Sequence, residues 1–197
     1  MLLGTLPTTL KVDGKDYPIN TDYRVLLDII CAFNDPDLKD YEKAYVCLRL
    51  LFQDFSALPE TAYGEAYKAA IDFLQCGKKP SEKKTPRTIN WAKDEQMIFA
   101  AVNKVAGREV RAVDYLHWWT FLGYFDTVDR DDLFCYVIQL RQKLARHKKL
   151  EKSEQQFYDA NRELVDLNEV IKSRRQDALD YIDDMFAEMD DREKNKS

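Results

Sequence analysis

The chain has 197 residues, 45% of them apolar, with 33% charged and a formal net charge of −5. That is enough apolar material for a real core, and the length fits one domain or one domain with an extension. The net negative charge argues against nucleic acid as the main partner, which would call for clustered Lys and Arg. No run of about 18 apolar residues is present, so no membrane span is expected. The start, "MLLGTLPTTLK", lacks the basic and apolar regions of a secretory signal.

Residues 5–20, "TLPTTLKVDGKDYPIN", predict a hairpin. Leu10 and Val12 alternate with polar neighbours, Asp13-Gly14 supplies a turn that tolerates positive φ, and Tyr17 and Ile19 answer from the second strand. Pro18 predicts an edge position, because proline has no ladder donor. A two-stranded unit is marginal alone and needs a surface to lie on.

From Thr21 the pattern turns helical. Thr21 reads as an N-cap, with Tyr23, Leu26, Leu27, Ile30 and Phe33 following at helical spacing until "NDPD" at 34–37. A second helix is expected from about Tyr41 to Phe52, with Ala44, Tyr45, Leu48, Leu51 and Phe52 on one side. A third starts near Pro59, a residue suited to a first helical turn, and Gly77 reads as its C-terminal cap. "GKKPSEKKTPRTIN" (77–90) carries two prolines, five basic residues and little that is apolar, and reads as a mobile basic loop.

Helical spacing resumes at Trp91, with Ile98, Ala101, Val102 and Val105 on one face and Gly107 at the end. "VDYLHWWTFLGYF" (113–125) predicts a helix from about Val113 to Tyr124. At 100° per residue, Tyr115, Leu116, Trp118, Trp119, Leu122 and Phe125 cover about half its circumference. Asp114, His117 and Thr120 lie opposite, with Phe121 near the edge of the apolar arc.

Another helix follows from about Asp131, and its end, "RQKLARHKKLEK" (141–152), carries six Lys or Arg and one Glu. From Ser153 a charged helical segment is expected to continue through Phe157, Ala160, Leu164, Leu167 and Ile171 in a heptad-like pattern. "QDALDYIDDMFAEMDD" (176–191) then has seven acidic residues and no basic ones. Ala178, Ile182, Met185 and Met189, with Phe186 beside them, make a narrow apolar stripe on this acidic helix, the candidate partner-binding surface.

The fold class is therefore mainly α, with a small N-terminal β-hairpin and an extended C-terminal helical segment. A helical domain is expected over 1–152, with the basic loop 77–90 inside it, and a charged extension over 153–197.

No catalytic constellation is expected. His117 has neither an orienting carboxylate nor a nucleophile in its motif, and the other histidine, His147, sits in a basic run. No P-loop, GxGxxG, HExxH or GxSxG is present. Cys31, Cys47, Cys76 and Cys135 form no CxxC and read as reduced, mostly buried thiols. No cofactor and no metal are expected.

"YLHWWTF" (115–121) resembles the signature of the phage gene-product-fifteen family, small bacteriophage proteins of Gram-positive hosts. The match rests on His117, Trp118, Trp119 and Phe121, which read as structural signature positions. "FLQCGK", "WAKDEQMIFAAV" and "RQKLARHKKLEKSEQQFYDAN" are similar to neighbouring family features, over roughly residues 1–165. The resemblance implies a siphophage tail assembly chaperone working in the host bacterial cytoplasm. Its implied partner is the tape-measure protein, with a second tail chaperone, a tail tube protein or a second copy as further partners. The competing expectations are a structural tail or connector component of the virion, and a nucleic-acid-binding protein resting on "KKPSEKK" (78–84) and "RQKLARHKK" (141–149).

Overall fold

The computed structural model describes residues 4–78 and 86–167. Loop positions 79–85 and the stripe Ala178, Ile182, Met185, Phe186 and Met189 lie outside the described residues. The architecture is mainly helical with one two-stranded antiparallel hairpin.

The hairpin pairs β1 (Thr9–Val12) with β2 (Lys15–Pro18), Leu10 opposite Tyr17 and Val12 opposite Lys15. Asp13 (φ 48°) and Gly14 (φ 76°) are both left-handed, the turn whose twist suits a hairpin. The surface it needs is the helix α3 (Tyr63–Leu74): Val12 is fully buried, and the Asp13 amide donates to Glu65 Oε1 at 3.0 Å. Ile19 lies beyond β2 and bridges to Phe52 instead.

Helix α1 (Tyr23–Asn34) is capped by Asp22, one residue later than Thr21. The Asp22 carboxylate accepts from the amides of Arg24 (3.0 Å) and Leu116 (3.2 Å), while the Thr21 hydroxyl bonds the Tyr115 hydroxyl at 2.6 Å. A carboxylate accepts two amides more strongly than a hydroxyl does, which settles the choice. α1 buries Tyr23, Leu26 and Ile29.

Helix α2 (Asp40–Leu51) packs against α1 and α3. Its buried arc runs through Val46, Cys47, Leu48 and Leu51, so Ala44 and Tyr45 stand at the edge and are only half-buried. Pro59 precedes a 3₁₀ turn over residues 60–62, and α3 itself begins at Tyr63. At its end the left-handed residue is Cys76 (φ 53°), followed by Gly77 (φ 69°). The Gly77 amide bonds the Asp72 carbonyl at 2.8 Å and the Cys76 amide bonds Phe73 at 3.0 Å, so the cap begins one residue before the glycine.

Helix α4 (Glu95–Ala106) buries Ile98, Phe99, Ala101 and Val102 and ends at left-handed Gly107. Val105, expected on this face, is exposed. Helix α5 (Trp118–Asp126) starts five residues later than expected, because 113 and 114 form a bend and His117 bridges to Asp22 just before α1. Tyr115 consequently points to solvent at 54% exposure, while its neighbour Leu116 is buried.

Helix α6 (Leu133–Ala145) is followed by α7 (Lys152–Ala160) and the single-turn α8 (Arg162–Val165). The expected continuous heptad-like helix is therefore broken at Asn161, whose side chain bonds the Phe157 carbonyl at 2.9 Å. Val165 is the buried residue of this stretch, and Ala160 is exposed.

One cluster of buried side chains runs from Val12 to Phe134. A smaller one joins Val137, Leu140 and Val165. Between them lies Arg141, only 4% exposed although it opens the basic run. It forms a bidentate pair with buried Asp94, at 2.6 and 2.8 Å. Its remaining donors reach the carbonyls of Val165 (2.7 Å), Leu164 (2.8 Å) and Thr88 (2.9 Å).

Of the cysteines, only Cys47 is buried; Cys31 is exposed and Cys76 and Cys135 are intermediate, so the expectation of mostly buried thiols is corrected. No disulfide joins them among the described residues. Burial pushes the Cys47 thiol up to about 12. Iodoacetamide at pH 8, read by peptide mass spectrometry, should therefore alkylate Cys31 first and Cys47 only on unfolding. Arg141→Met leaves the Asp94 charge buried without its partner and should cost about 3–5 kcal/mol in urea denaturation.

Candidate functional site

The described part of the His-Trp-Trp signature is a joint between four segments. His117 is the N-cap of α5, with extended backbone (φ −61°, ψ 138°). Its Nδ1 accepts the Trp119 amide at 3.0 Å, and its Nε2 meets the Pro7 carbonyl at 2.9 Å. An amide can only donate and a carbonyl can only accept, so the ring is the neutral Nε2–H tautomer. The polar arc expected for His117 does not exist, because the residue precedes the helix and is 4% exposed.

Both tryptophans point at the C-terminus of α3. Trp118 Nε1 donates to the Leu74 carbonyl at 3.0 Å, and Trp119 Nε1 donates to Phe73 at 2.9 Å. The last carbonyls of a helix lack intrahelical partners; here one indole bonds the Leu74 carbonyl and the other joins the Cys76 amide on the Phe73 carbonyl. Trp118 is buried and Trp119 partly buried, with the latter stacked on Phe73 at 5.9 Å. Phe121, placed near the polar edge by the helical projection, is fully buried between Trp118 (5.8 Å) and Tyr23 (4.7 Å, 8° between planes). The late start of α5 leaves Phe121 one helical turn from Trp118 and directed at the core.

The backbone completes the joint. The Tyr23 amide bonds the Leu116 carbonyl at 3.0 Å, and the Trp118 amide bonds Thr21 at 2.7 Å. A short 3₁₀ turn over 110–112 leads into it. Glu109 there accepts from the Arg111 side chain and amide and from Asn103, and these bonds hold its carboxyl well down, at about 2.

Outside the joint, α2 and α3 leave a shallow apolar groove of about 450 Å³, lined by Tyr41, Tyr45, Leu48, Tyr63 and Tyr67. Burial raises the phenols of Tyr45, Tyr63 and Tyr67 above their ordinary value. Tyr41 closes the rim at 66% exposure. The sequence reading missed both this groove and the Arg141–Asp94 pair. The pair had a signal: Val137, Leu140, Arg141 and Leu144 share a face at 3–4 spacing, which places the guanidinium with apolar neighbours.

Among the described residues no cluster of three or more His, Cys, Asp or Glu is placed to hold a metal ion, and no helix is long and apolar enough to cross a membrane. These features define a helical scaffold organised around a buried aromatic joint. Residues 2–167 match the family described as Bacteriophage Gp15 protein, and the chain belongs to that family. No curated protein and no solved structure matches it. The matched region stops before the acidic segment 176–191.

Trp118→Ala should lower stability by about 3–5 kcal/mol. Trp118→Phe should cost about 1–3 kcal/mol, the loss of the donor to Leu74. His117→Asn keeps a cap acceptor and should be less damaging than His117→Ala by about 1 kcal/mol. Chemical denaturation followed by tryptophan fluorescence checks all three.

Proposed function

We propose that this phage protein is a non-enzymatic tail assembly chaperone that binds the tape-measure protein during siphophage tail morphogenesis in the host cytoplasm. The observation that carries this reading is the inward engagement of the signature. Both ring nitrogens of His117 and both indole N–H groups are bonded to backbone, which leaves them no free atom for chemistry. Among the described residues, the groove between α2 and α3 is an apolar, helical surface open to a partner. The α2–α3 groove presents aromatic rings, which take up apolar side chains at low entropic cost. The stripe Ala178, Ile182, Met185, Phe186 and Met189 adds adaptable methionines beside seven acidic residues that favour solubility. A tape measure is a long amphipathic helix, and such surfaces suit it.

Co-expression with the neighbouring tape-measure protein, followed by size-exclusion chromatography, tests this. The tape measure should stay soluble and co-elute only when this chain is present. Replacing Ile182 and Met185 by Asp should weaken co-elution at least about tenfold, as loss of a central apolar contact does. A tape measure that precipitates regardless removes the chaperone reading, and mass spectrometry of purified virions then tests the alternative of a structural tail or connector component.

A further inference from the structure

The turn between α6 and α7 carries Arg146, His147, Lys148, Lys149 and Lys152, all exposed. It is firmly built. His147 takes the left-handed conformation (φ 52°), its amide bonds the Leu144 carbonyl at 2.9 Å, and the Lys148 amide bonds Lys143 at 2.9 Å. The nearby carboxylate of Glu154 is already engaged, by Lys143 Nζ at 2.5 Å and the Glu151 amide at 2.9 Å. Among the described residues, no ion pair reaches Arg146, Lys148, Lys149 or Lys152. Like charges held this close raise the local potential and favour an anionic occupant.

We propose that the acidic segment 176–191 of the same chain folds back onto this turn as an electrostatic latch. The segment has seven acidic residues and no basic ones, and its six flanking bases, Lys172, Arg174, Arg175, Arg192, Lys194 and Lys196, are fewer than its acids. The chain also leaves the described fold beside the turn. Arg141 Nε holds the Val165 carbonyl at 2.7 Å, and Lys93 Nζ holds that of Asp166 at 2.5 Å. Arg141 and Arg146 are five residues apart, about 7.5 Å along a helix. The nine residues from Asn168 to Gln176 span up to about 30 Å when extended, so the segment reaches the turn with slack. Exposed ion pairs are individually weak, but a tether of this length supplies the partner at about millimolar effective concentration. The latch does not depend on what the stripe at Ile182 and Met185 binds.

Zero-length carbodiimide coupling of the full chain, with peptide mass spectrometry of the monomer band, tests the latch. Lys148, Lys149 or Lys152 should be joined to acids within 177–191. The yield should fall at least about fivefold between about 0.05 and 0.5 M salt, as screening shortens the Debye length. K148E/K149E should abolish the links, and adding D183K/D184K should restore them with the partners exchanged. Links found only in a dimer band, only to Lys172 or the other flanking bases, or not at all overturn the proposal. Acetylation of the turn's lysines that is equal in the native chain and D183N/D184N, and is slowed only by an added DNA duplex, gives the turn to nucleic acid and overturns it equally.

Discussion

The backbone bridge between Thr21–Tyr23 and Leu116–Trp118 is the constraint on which the rest of the fold depends. Two helices, α1 and α5, begin at the same point, and each uses the other's entry strand to satisfy an amide that has no partner within its own helix. Asp22 caps α1 and also holds Leu116, while His117 caps α5 and also holds Pro7. A change at either cap is therefore felt on both helices. The neighbouring indoles extend the same economy to α3, closing its C-terminus with side chains from a helix that starts 44 residues later than Leu74.

Arg141 plays the matching role at the other end. Burying a charge is costly unless it is paired and its donors are satisfied, and here one guanidinium reaches one carboxylate and three carbonyls. Two of those carbonyls come from α8 and the third from Thr88, near the end of the basic loop 77–90. Each lies in a stretch with little apolar surface of its own. A planar five-donor fork fixes such strands in a way that a further leucine would not. The pair thus substitutes directional bonds for the hydrophobic area that the small cluster of Val137, Leu140 and Val165 lacks.

Elements set by local chemistry were legible in the sequence: the Asp-Gly turn, the helical stretches and the Gly107 terminus follow from residue types at fixed spacing. The misreadings at Thr21, at 113–117 and after Ser153 fall where a long-range bond overrides a local preference. Thr21 is a good cap in isolation, but Asp22 bonds across 94 residues to Leu116 and takes the position. Residues 113–117 have helical periodicity, yet the bridge from His117 to Asp22 holds them out of the helix, and Tyr115 stays exposed while Leu116 and His117 are buried. The heptad-like spacing after Ser153 is genuine, but α8 is drawn towards Arg141 and the helix breaks at Asn161. Arg141 itself was read as one charge among six, because composition cannot separate a residue on the apolar face from its solvated neighbours.

His117, Trp118 and Trp119 occupy the cap and first two positions of a helix, where successive side chains diverge by about 100°. That divergence lets three adjacent residues reach three separate places: the N-terminal arm at Pro7 and the two terminal carbonyls of α3. A serine or aspartate would cap α5 as well as histidine does, but neither has, beyond its capping acceptor, an N–H that reaches Pro7. Phenylalanine would fill the space of either tryptophan without donating to the end of α3. The triplet is thus fixed by the geometry of the joint. A stretch so rich in aromatic and titratable groups looks like a reaction centre in the sequence because both need polar atoms at defined angles. Here the angles are set by backbone carbonyls and an amide of the protein itself.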